Sequence, residues 1–282
     1  MDSKGSRSRD SRVDMDRTAE TRRKRKLWIA FAALMLVFAL SLSAILWMYF
    51  GGDGFDADKY KSSSDSSTDT SIDVSSAESE SESVVYAQNP IDFASLQEKN
   101  ADVCAWITVP NTSIDYPIVQ SSKEDDDYYI NHAWEGNYTI NGAIYIQRLN
   151  GKYFTDRNTV VYGHNLRNGT MFRHLHKFRD KDFFDANEYF YIYTPGHILT
   201  YRIFSAYRYD NRHILNSFDF ADTAVYADYL QYATDPNSLI KNVREGVEVT
   251  TDDKIVTLST CISDKRYRYL VQGVQISDEL TY

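Results

Sequence analysis

The chain has 282 residues, of which 43% are hydrophobic and 25% are charged, and both values are close to the average for globular proteins. This composition, with only two cysteines, excludes a wholly disordered, a collagen-like or a disulfide-stapled protein. The formal net charge is −9, and residues 89–282 alone carry 19 basic and 26 acidic side chains. Because binding to phosphate requires a basic surface, this balance argues against nucleic acid as a partner.

An uncharged segment of 24 residues extends from residue 27 to residue 50. As a helix it is about 36 Å long, enough to cross a hydrocarbon core of about 30 Å. A secretory signal peptide is the alternative, but its apolar part has about 7 to 15 residues before a small-residue cleavage site. Bulky residues occupy positions 47–50 here. We therefore predict an uncleaved transmembrane helix at residues 27–50.

Basic residues dominate the segment before this helix. Residues 1–26 carry 10 basic and 5 acidic side chains, with five consecutive basic residues at positions 22–26. Beyond the helix, residues 51–58 carry only acidic charges. The positive-inside rule then predicts a single-pass protein of the cell membrane with a cytoplasmic N-terminus. Binding of acidic lipids or nucleic acid by the basic run is the alternative, but beside a membrane helix an effect on topology is the simpler interpretation.

Residues 51–88 are rich in Ser, Asp and Glu and carry nine acidic and two basic side chains. Few apolar residues are present to offset the entropy lost on ordering, so this segment is predicted to be a disordered linker. Residues 89–282 are long enough to bury the core of one domain. The predicted organisation is a cytoplasmic segment at 1–26, a transmembrane helix at 27–50, a linker at 51–88 and an extracellular domain at 89–282.

Short segments rich in β-branched and aromatic residues follow one another through the last domain. Eight of them predict strands, at residues 107–109, 116–120, 143–147, 159–162, 189–193, 199–209, 255–261 and 269–276. A mainly β barrel or sandwich follows from this pattern. Apolar residues at helix-like intervals from Ile91 to Ile107 predict one or two N-terminal helices. Two further helices are predicted, one after Thr170 and one after Asp219 or Asp222.

The strongest local signal for chemistry is the strand predicted at residues 255–261, which ends with a cysteine. Because side chains alternate along a strand, Thr257, Ser259 and Cys261 share its more polar face. A cysteine at a strand end can act as a nucleophile, although a buried cysteine is often only a small hydrophobic residue. Cys104, within the amphipathic N-terminal stretch, is the better candidate for that second role.

Two arginines follow this cysteine. If residues 262–267 connect an antiparallel pair, Cys261 lies directly opposite Arg268. A guanidinium beside a thiol favours the thiolate, and it can also bind negative charge that develops on a carbonyl oxygen. Arg266 has the same alternation parity as Arg268, so pairing alone does not decide between the two.

Catalysis by a thiol also needs a proton donor for the leaving amine, and histidine most often fills this role. His164 follows the apolar strand segment at residues 159–162 and Gly163, and a polar loop begins there. His174 and His176 are two residues apart on a predicted helix, so they cannot share a face and are predicted to be surface residues. His164 is therefore the candidate partner of Cys261.

Several ordered motifs together resemble those of the class B sortases. They are TLSTC at 257–261, Arg268 within RYLV, YGHN at 162–165, NGTMF at 168–172, DYPIVQ at 115–120 and NADVCAWITVP at 100–110. The resemblance covers roughly residues 89–282 and implies a closed sortase-type β-barrel of about eight strands, with N-terminal helices and one or two interpolated helices. It implies no metal and no organic cofactor. Residues 210–248 match an insertion of class B members, which implies that they form one wall of the substrate groove.

The resemblance also implies a function, that of a membrane-bound cysteine transpeptidase on the outer face of a Gram-positive-type bacterium. Such an enzyme cleaves a C-terminal sorting signal of secreted proteins, of the NPxTx or S/P-PxTG type, after Thr. It forms a thioacyl intermediate and passes it to an amine of the peptidoglycan peptide. Carried over residue by residue, Cys261 is the nucleophile, His164 the general acid and base, and Arg268 the oxyanion or substrate-positioning group. Ser259 and Tyr162 line the groove or simply support the barrel.

Two other functions remain open at this point. An L,D-transpeptidase also has a His before its Cys and an Arg nearby, but it requires Gly directly before the nucleophile, where this chain has Thr260. The other function is a membrane-tethered, non-catalytic binding scaffold, in which His164, Cys261 and Arg268 have no chemical use. Reactivity of the thiol distinguishes the scaffold from an enzyme.

Overall fold

The computed structural model describes residues 25–26, 28–43, 55–62, 86–262 and 264–282. The chain separates into two units, Met1–Phe55 and Asp56–Tyr282. In the first unit residues 28–43 are helical. Among the described residues, no helix is both long enough and apolar enough to span a membrane. The other parts of the predicted N-terminal segment, transmembrane helix and linker lie outside the described residues, at positions 1–24, 27, 44–54 and 63–85.

Where the structure describes it, the second unit is built around nine β-strands. They are β1 (Val103–Thr108), β2 (Asp115–Gln120), β3 (Ile144–Ile146), β4 (Asn158–Gly163), β5 (Tyr189–Thr194), β6 (His197–Asp210), β7 (Lys241–Val243), β8 (Ile255–Cys261) and β9 (Tyr267–Leu280). Their order in the sheet is β5-β1-β2-β3-β4-β8-β9-β6-β7, and β5 also pairs with β6. That pairing closes eight strands into a ring, and the short β7 pairs with a later part of β6. The predicted closed barrel of about eight strands is confirmed.

Apolar side chains fill the interior of the barrel. Val256 and Leu258 of β8 are buried there together with Val161 of β4. The rings of Phe190 and Tyr201 stack at 5.1 Å between centroids with an angle of 5° between their planes. The interior is therefore a packed core, as expected for a barrel of eight strands.

Among the described residues of this unit, four α-helices accompany the strands. They are α1 (Phe93–Lys99), α2 (Lys181–Ala186), α3 (Ile214–Ser217) and α4 (Thr223–Thr234). The helix predicted after Asp219 or Asp222 is confirmed as α4. Asp222 is its cap, since its carboxylate accepts from the backbone N–H groups of Ala224 and Val225. The stretch predicted to be helical as far as Ile107 contains only α1. Its last part is β1, because this run of apolar and β-branched residues is buried on both faces of the sheet.

The helix predicted after Thr170 is a 3-10 helix, Phe172–Arg179, whose N-cap is Met171 and not Thr170. Its apolar residues face the barrel, and the buried ones are Phe172, Leu175 and Phe178. This helix packs against β8 and β9 and therefore lies close to the end of the strand that bears Cys261.

The outer face of β4, β8 and β9 is covered by the connection from β6 to β8. Tyr226 and Leu230 of α4 pack there against Val160 and Leu270. Beneath the helix the buried Gln272 side chain donates to the hydroxyls of Tyr229, at 2.9 Å, and Thr257, at 2.8 Å, and it accepts from Tyr207 at 2.9 Å. These hydrogen bonds offset the desolvation of a polar side chain in the core.

The folded unit begins before residue 89. Residues 57–60 form a 3-10 helix, and the buried ring of Tyr60 makes an edge-to-face contact with Trp134 at 5.7 Å. Lys61 forms an ion pair with Asp115 at 2.5 Å. These residues were predicted to belong to the disordered linker. The aromatic contact of Tyr60 and the ion pair of Lys61 order this segment. The prediction of disorder used the average composition of residues 51–88, which does not reveal single contacts of this kind.

A substitution at Gly273 of β9 tests how tightly the interior of the barrel is packed. A Cβ atom at this position would lie 2.5 Å from Cε1 of Phe190 and 3.0 Å from Cβ of Tyr201. We expect Gly273→Ala to lower the free energy of unfolding by about 1–3 kcal/mol, because the core must shift to accept a methyl group. Gly151→Ala is the control, since its Cβ would meet only the Asp156 carboxylate at 3.8 Å.

The control should change the free energy of unfolding by less than about 0.5 kcal/mol. Urea denaturation of residues 56–282 measures both variants. Equal stability of the two variants would contradict the packing described for Gly273.

Candidate active site

Cys261 and Arg268 face each other across two antiparallel strands. They are the pair at the end of the β8–β9 register, as the alternation of side chains predicted. Nη1 of Arg268 lies within hydrogen-bond distance of Sγ of Cys261. The sulfur therefore has a permanent positive charge beside it, which is an environment that accommodates a thiolate.

Arg266 points elsewhere. Its guanidinium lies 2.7 Å from the Asp264 carboxylate, and its side chain is 79% exposed. This contact lowers the pKa of Asp264 to about 2. Arg266 has the parity of Arg268, but β9 begins only at Tyr267, so Arg266 belongs to the turn and not to the ladder. The structure thus selects Arg268 as the arginine that faces the thiol.

His164 leaves the barrel beside Cys261. β4 and β8 are parallel, and their register ends with Gly163 opposite Thr260. The residue after Gly163 is His164, and the residue after Thr260 is Cys261, so the two lie side by side at the same end of the barrel. Nε2 of His164 lies 2.6 Å from the carbonyl oxygen of Ile130. Because a carbonyl only accepts, Nε2 carries the proton in this contact, and Nδ1 is left as the second site of proton exchange.

Gly142 leaves room for this imidazole. A Cβ atom on Gly142 would lie 2.8 Å from Cδ2 of His164 and 2.7 Å from the carbonyl oxygen of Ile130. The φ angle of Gly142 is +63°, in the left-handed region that favours glycine. Both the space and the backbone conformation therefore require glycine here. Sequence reasoning missed this residue, since nothing local connects it with His164.

Two side chains reach the carbonyl oxygen of Cys261. Nδ2 of Asn165 donates to it at 2.9 Å, and Nε2 of His176 lies 3.1 Å from it. His176 was predicted to be a surface residue, and the structure corrects this. Its ring is half-buried next to Tyr269, at 5.2 Å between centroids, because the 3-10 helix packs on the barrel end. Asn165 directly follows His164 in the YGHN motif, and its own role was not predicted.

Tyr162 and Ser259 lie on the same outer face as Cys261. The two are register partners in β4 and β8, and Ser259 is buried. The ring of Tyr162 stacks on Tyr145 of β3 at 5.5 Å. Burial raises the pKa of Tyr162, and the nearby Arg268 cation opposes this effect in part. A row of aromatic and polar side chains thus crosses the outer face of three strands next to the thiol.

Cys104 lies in a different environment. It is buried in β1, its thiol is 3.5 Å from the carbonyl oxygen of Ile118, and burial raises its pKa to about 12. The structural role predicted for this cysteine is consistent with its position. Cys104 and Cys261 are both free thiols. Within the described part of the chain, no group of three or more His, Cys, Asp or Glu side chains could hold a metal ion.

A cavity of about 750 Å³ lies between the β3–β4 connection and the β6–β8 connection. Residues of the predicted groove wall at 215–221 form one side of it. His213 joins the two connections. Its Nδ1 accepts from the Asn216 N–H at 3.2 Å and so caps α3, while its Nε2 lies 2.7 Å from Oε1 of Gln147 in the other connection.

Comparison with known proteins agrees with this architecture. A family model described as the sortase domain matches residues 107–276. Sortase B of Listeria monocytogenes is 36% identical over 187 residues, which are 64% of this chain and 73% of that protein. Sortase B of Staphylococcus aureus is 30% identical over 169 residues, which are 60% of this chain and 67% of that protein.

A solved structure shows the same fold. The X-ray structure of Clostridium perfringens sortase B superposes with a TM-score of 0.60 at 33% sequence identity and covers 66% of this chain and 100% of that chain. The family match spans most of the barrel, and both curated relatives are matched over at least two thirds of their length. The chain therefore belongs to the sortase family as a class B sortase, a cysteine transpeptidase that anchors surface proteins to the cell wall.

Proposed function

We propose that this sortase cleaves a C-terminal sorting signal after Thr through a thioacyl intermediate on Cys261 and transfers the protein to an amine of the peptidoglycan peptide. The observation that carries the proposal is the pairing of Cys261 with Arg268 at the strand end next to His164. A nucleophile, a cation and a group that can exchange protons then surround one point at the barrel end.

In the first half of the reaction, the Cys261 thiolate attacks the carbonyl carbon of the Thr residue. A C–S bond forms, the C–N bond of the scissile peptide breaks, and the imidazolium of His164 gives its proton to the leaving amine. In the second half, the acceptor amine attacks the thioester. A C–N bond forms, the C–S bond breaks, and the neutral imidazole takes the proton of the attacking amine.

Arg268 has two tasks in this scheme. Its guanidinium lies at the sulfur, where it can compensate the negative charge when the thiolate forms. When the carbonyl is attacked, charge moves from sulfur to oxygen, and the same fixed cation can stabilise that oxyanion. Arginine suits both tasks because it stays protonated at any physiological pH.

The substrate would lie along the outer face that bears Cys261. Tyr162 and Ser259 are proposed to line the groove there, and the stacked rings of Tyr145 and Tyr162 offer an apolar surface for the proline of a sorting signal. Signals of the NPxTx or S/P-PxTG type fit such a groove.

We further propose that residues 27–50 anchor the enzyme in the cell membrane, with residues 1–26 in the cytoplasm and the barrel outside. The support is the uncharged segment of 24 residues and the basic run before it. A polar tether between the anchor and the barrel would hold the active site near emerging substrates and near wall precursor. Such tethering raises the effective concentration of both.

Cleavage of peptides tests the chemistry. We expect quenched fluorescent peptides of the NPxTx or S/P-PxTG type to be cut after Thr, and an added amine to appear linked to the Thr carbonyl. Cys261→Ala should abolish turnover, since no thioester can form. Cys104→Ala is the matched control and should keep it, because this second cysteine is buried in β1. Mass spectrometry of the products measures the cleavage and the amine-linked product in each variant. Cleavage that persists in Cys261→Ala would contradict the proposal.

The two arginines form a natural pair of variants. Arg268→Met should lower kcat by about 10² to 10³, because the oxyanion loses a fixed donor. Arg266→Met should leave kcat within about twofold, since an exposed ion pair contributes little. Steady-state kinetics on the best peptide compares them, and the idea fails if both variants are equally impaired.

Fractionation of cells tests the anchor. Full-length protein should stay in the membrane pellet after a carbonate wash, and added protease should degrade the barrel in intact protoplasts. Deletion of residues 27–50 should release the protein, because about 20 apolar residues are needed to span a bilayer. Deletion of residues 63–85 is the control and should leave it in the pellet. Full-length protein in the wash would contradict the anchor.

A further inference from the structure

The last peptide of β8 has an unusual environment. β4 follows β8 in parallel as far as Gly163, and the backbone of Asn165 then pairs with Met171 across its own loop. On this side the carbonyl of Cys261 receives side-chain donors, Nδ2 of Asn165 at 2.9 Å and Nε2 of His176 at 3.1 Å. Two side chains therefore stand where a ladder between strands would otherwise continue.

His176 is a donor in this contact. The oxygen of Cys261 can only accept, so Nε2 carries the proton. Burial lowers the pKa of His176 to about 4, and the Arg179 cation acts in the same direction. The ring is therefore neutral at physiological pH, and its Nδ1 atom is unprotonated. Among the described residues, this buried Nδ1 atom has no hydrogen-bond partner.

An unpartnered buried nitrogen has a cost in stability, and it needs a reason. An apolar side chain at position 176 would pack beside Tyr269 without that cost. What it could not supply is the hydrogen bond to the Cys261 carbonyl. The choice of histidine at this position is thus explained by its contact with Cys261 rather than by packing.

Asn165 is held in a single orientation. Its Oδ1 atom accepts from Nη1 of Arg173 at 3.0 Å, which turns the amide nitrogen toward Cys261. Its neighbour His164 is tied to the same loop, since the carbonyl of His164 accepts from the Phe172 N–H at 2.9 Å. The loop that bears the imidazole and the strand end that bears the thiol are therefore joined through one side chain.

We propose that His176 and Asn165 are positioning residues for Cys261, which rests on the proposed role of Cys261 as the nucleophile. By holding the carbonyl they set the ψ angle of Cys261 and stop the strand end from fraying. The thiol then stays opposite Arg268 and next to His164 during the reaction. Neither residue needs to touch the substrate.

His174 provides a matched control. It lies in the same 3-10 helix and its Nδ1 atom accepts from the Ser113 N–H at 2.9 Å, away from Cys261. His174→Leu removes a histidine hydrogen bond from this helix. His176→Leu removes the one that reaches the strand end. His176→Gln keeps an amide N–H at a similar distance from the backbone and is the conservative variant.

The experiment uses the full-length chain in detergent micelles, with kcat and KM measured for the best sorting peptide. We expect His176→Leu to lower kcat by about tenfold, with KM within about twofold, because small misplacement of a reacting group is costly. His176→Gln should recover kcat to within about threefold of wild type. His174→Leu should keep kcat within about twofold, and the thermal midpoints of the two leucine variants should be similar.

The proposal is overturned if the two leucine variants lose activity equally, if the loss of activity follows the loss in thermal midpoint, or if a well-folded His176→Gln variant does not recover kcat.

Alkylation by iodoacetamide separates this proposal from the proposed function. If the wild type turns over no peptide, the function fails, and the alkylation rate of Cys261 still decides the positioning. That rate should fall about fivefold in His176→Leu alone, as the thiol drifts from Arg268; equal rates in both leucine variants overturn the positioning role.

Discussion

The ladder that β8 shares with β4 on one side and with β9 on the other is the constraint on which the candidate site depends. The β9 ladder puts Arg268 opposite Cys261, and the parallel β4 ladder brings His164 to the same end of the barrel. A slip of one residue in either register would turn the thiol toward the interior, because side chains alternate between faces. The geometry of the candidate site is therefore inseparable from the register of β8.

That register is strongly determined because both faces of β8 are buried. The inner face carries Val256 and Leu258 in the barrel core, and the outer face lies under the connection that contains α4. Thr257 on the outer face joins the hydrogen bonds of Gln272 and Tyr229, which accept only one alignment of polar partners. The covering connection thus supports the strand that bears Cys261, and Cys261 at its end is the one residue of β8 that is only partly buried.

The loop from His164 to Phe172 is constrained in a different way. Met171 has a φ of 55° and a ψ of −136°, a conformation that L residues rarely adopt and that costs about 1–3 kcal/mol. It is held by the pairing of its backbone with Asn165 and by a hydrogen bond from its N–H to the Tyr116 hydroxyl at 3.3 Å. These two contacts hold the strained loop in one shape next to the imidazole of His164.

Much of this protein could be predicted from local sequence pattern. The strand at 255–261 has the predicted bounds, its polar face is the one that bears Cys261, and α4 begins after Asp222, one of the two predicted caps. The motifs around His164 and Cys261 were sufficient to indicate the family. The alternation of side chains along a strand and the capping of a helix are local properties, since they depend on residues within a few positions of one another.

Only the tertiary structure decided which distant groups meet. Gly163 and Thr260 are 97 residues apart, and their contact brings His164 to Cys261. The same closure buries Tyr60 against the barrel, brings His176 to the Cys261 carbonyl and places Gly142 against the imidazole. The structure also excludes Arg266 as the arginine that faces Cys261. Its position has the same alternation parity as Arg268, but it lies in the turn before β9 and its side chain pairs with Asp264. Local pattern determines which face of its own strand a side chain occupies, whereas its neighbours across the barrel depend on how remote strands align and close the ring.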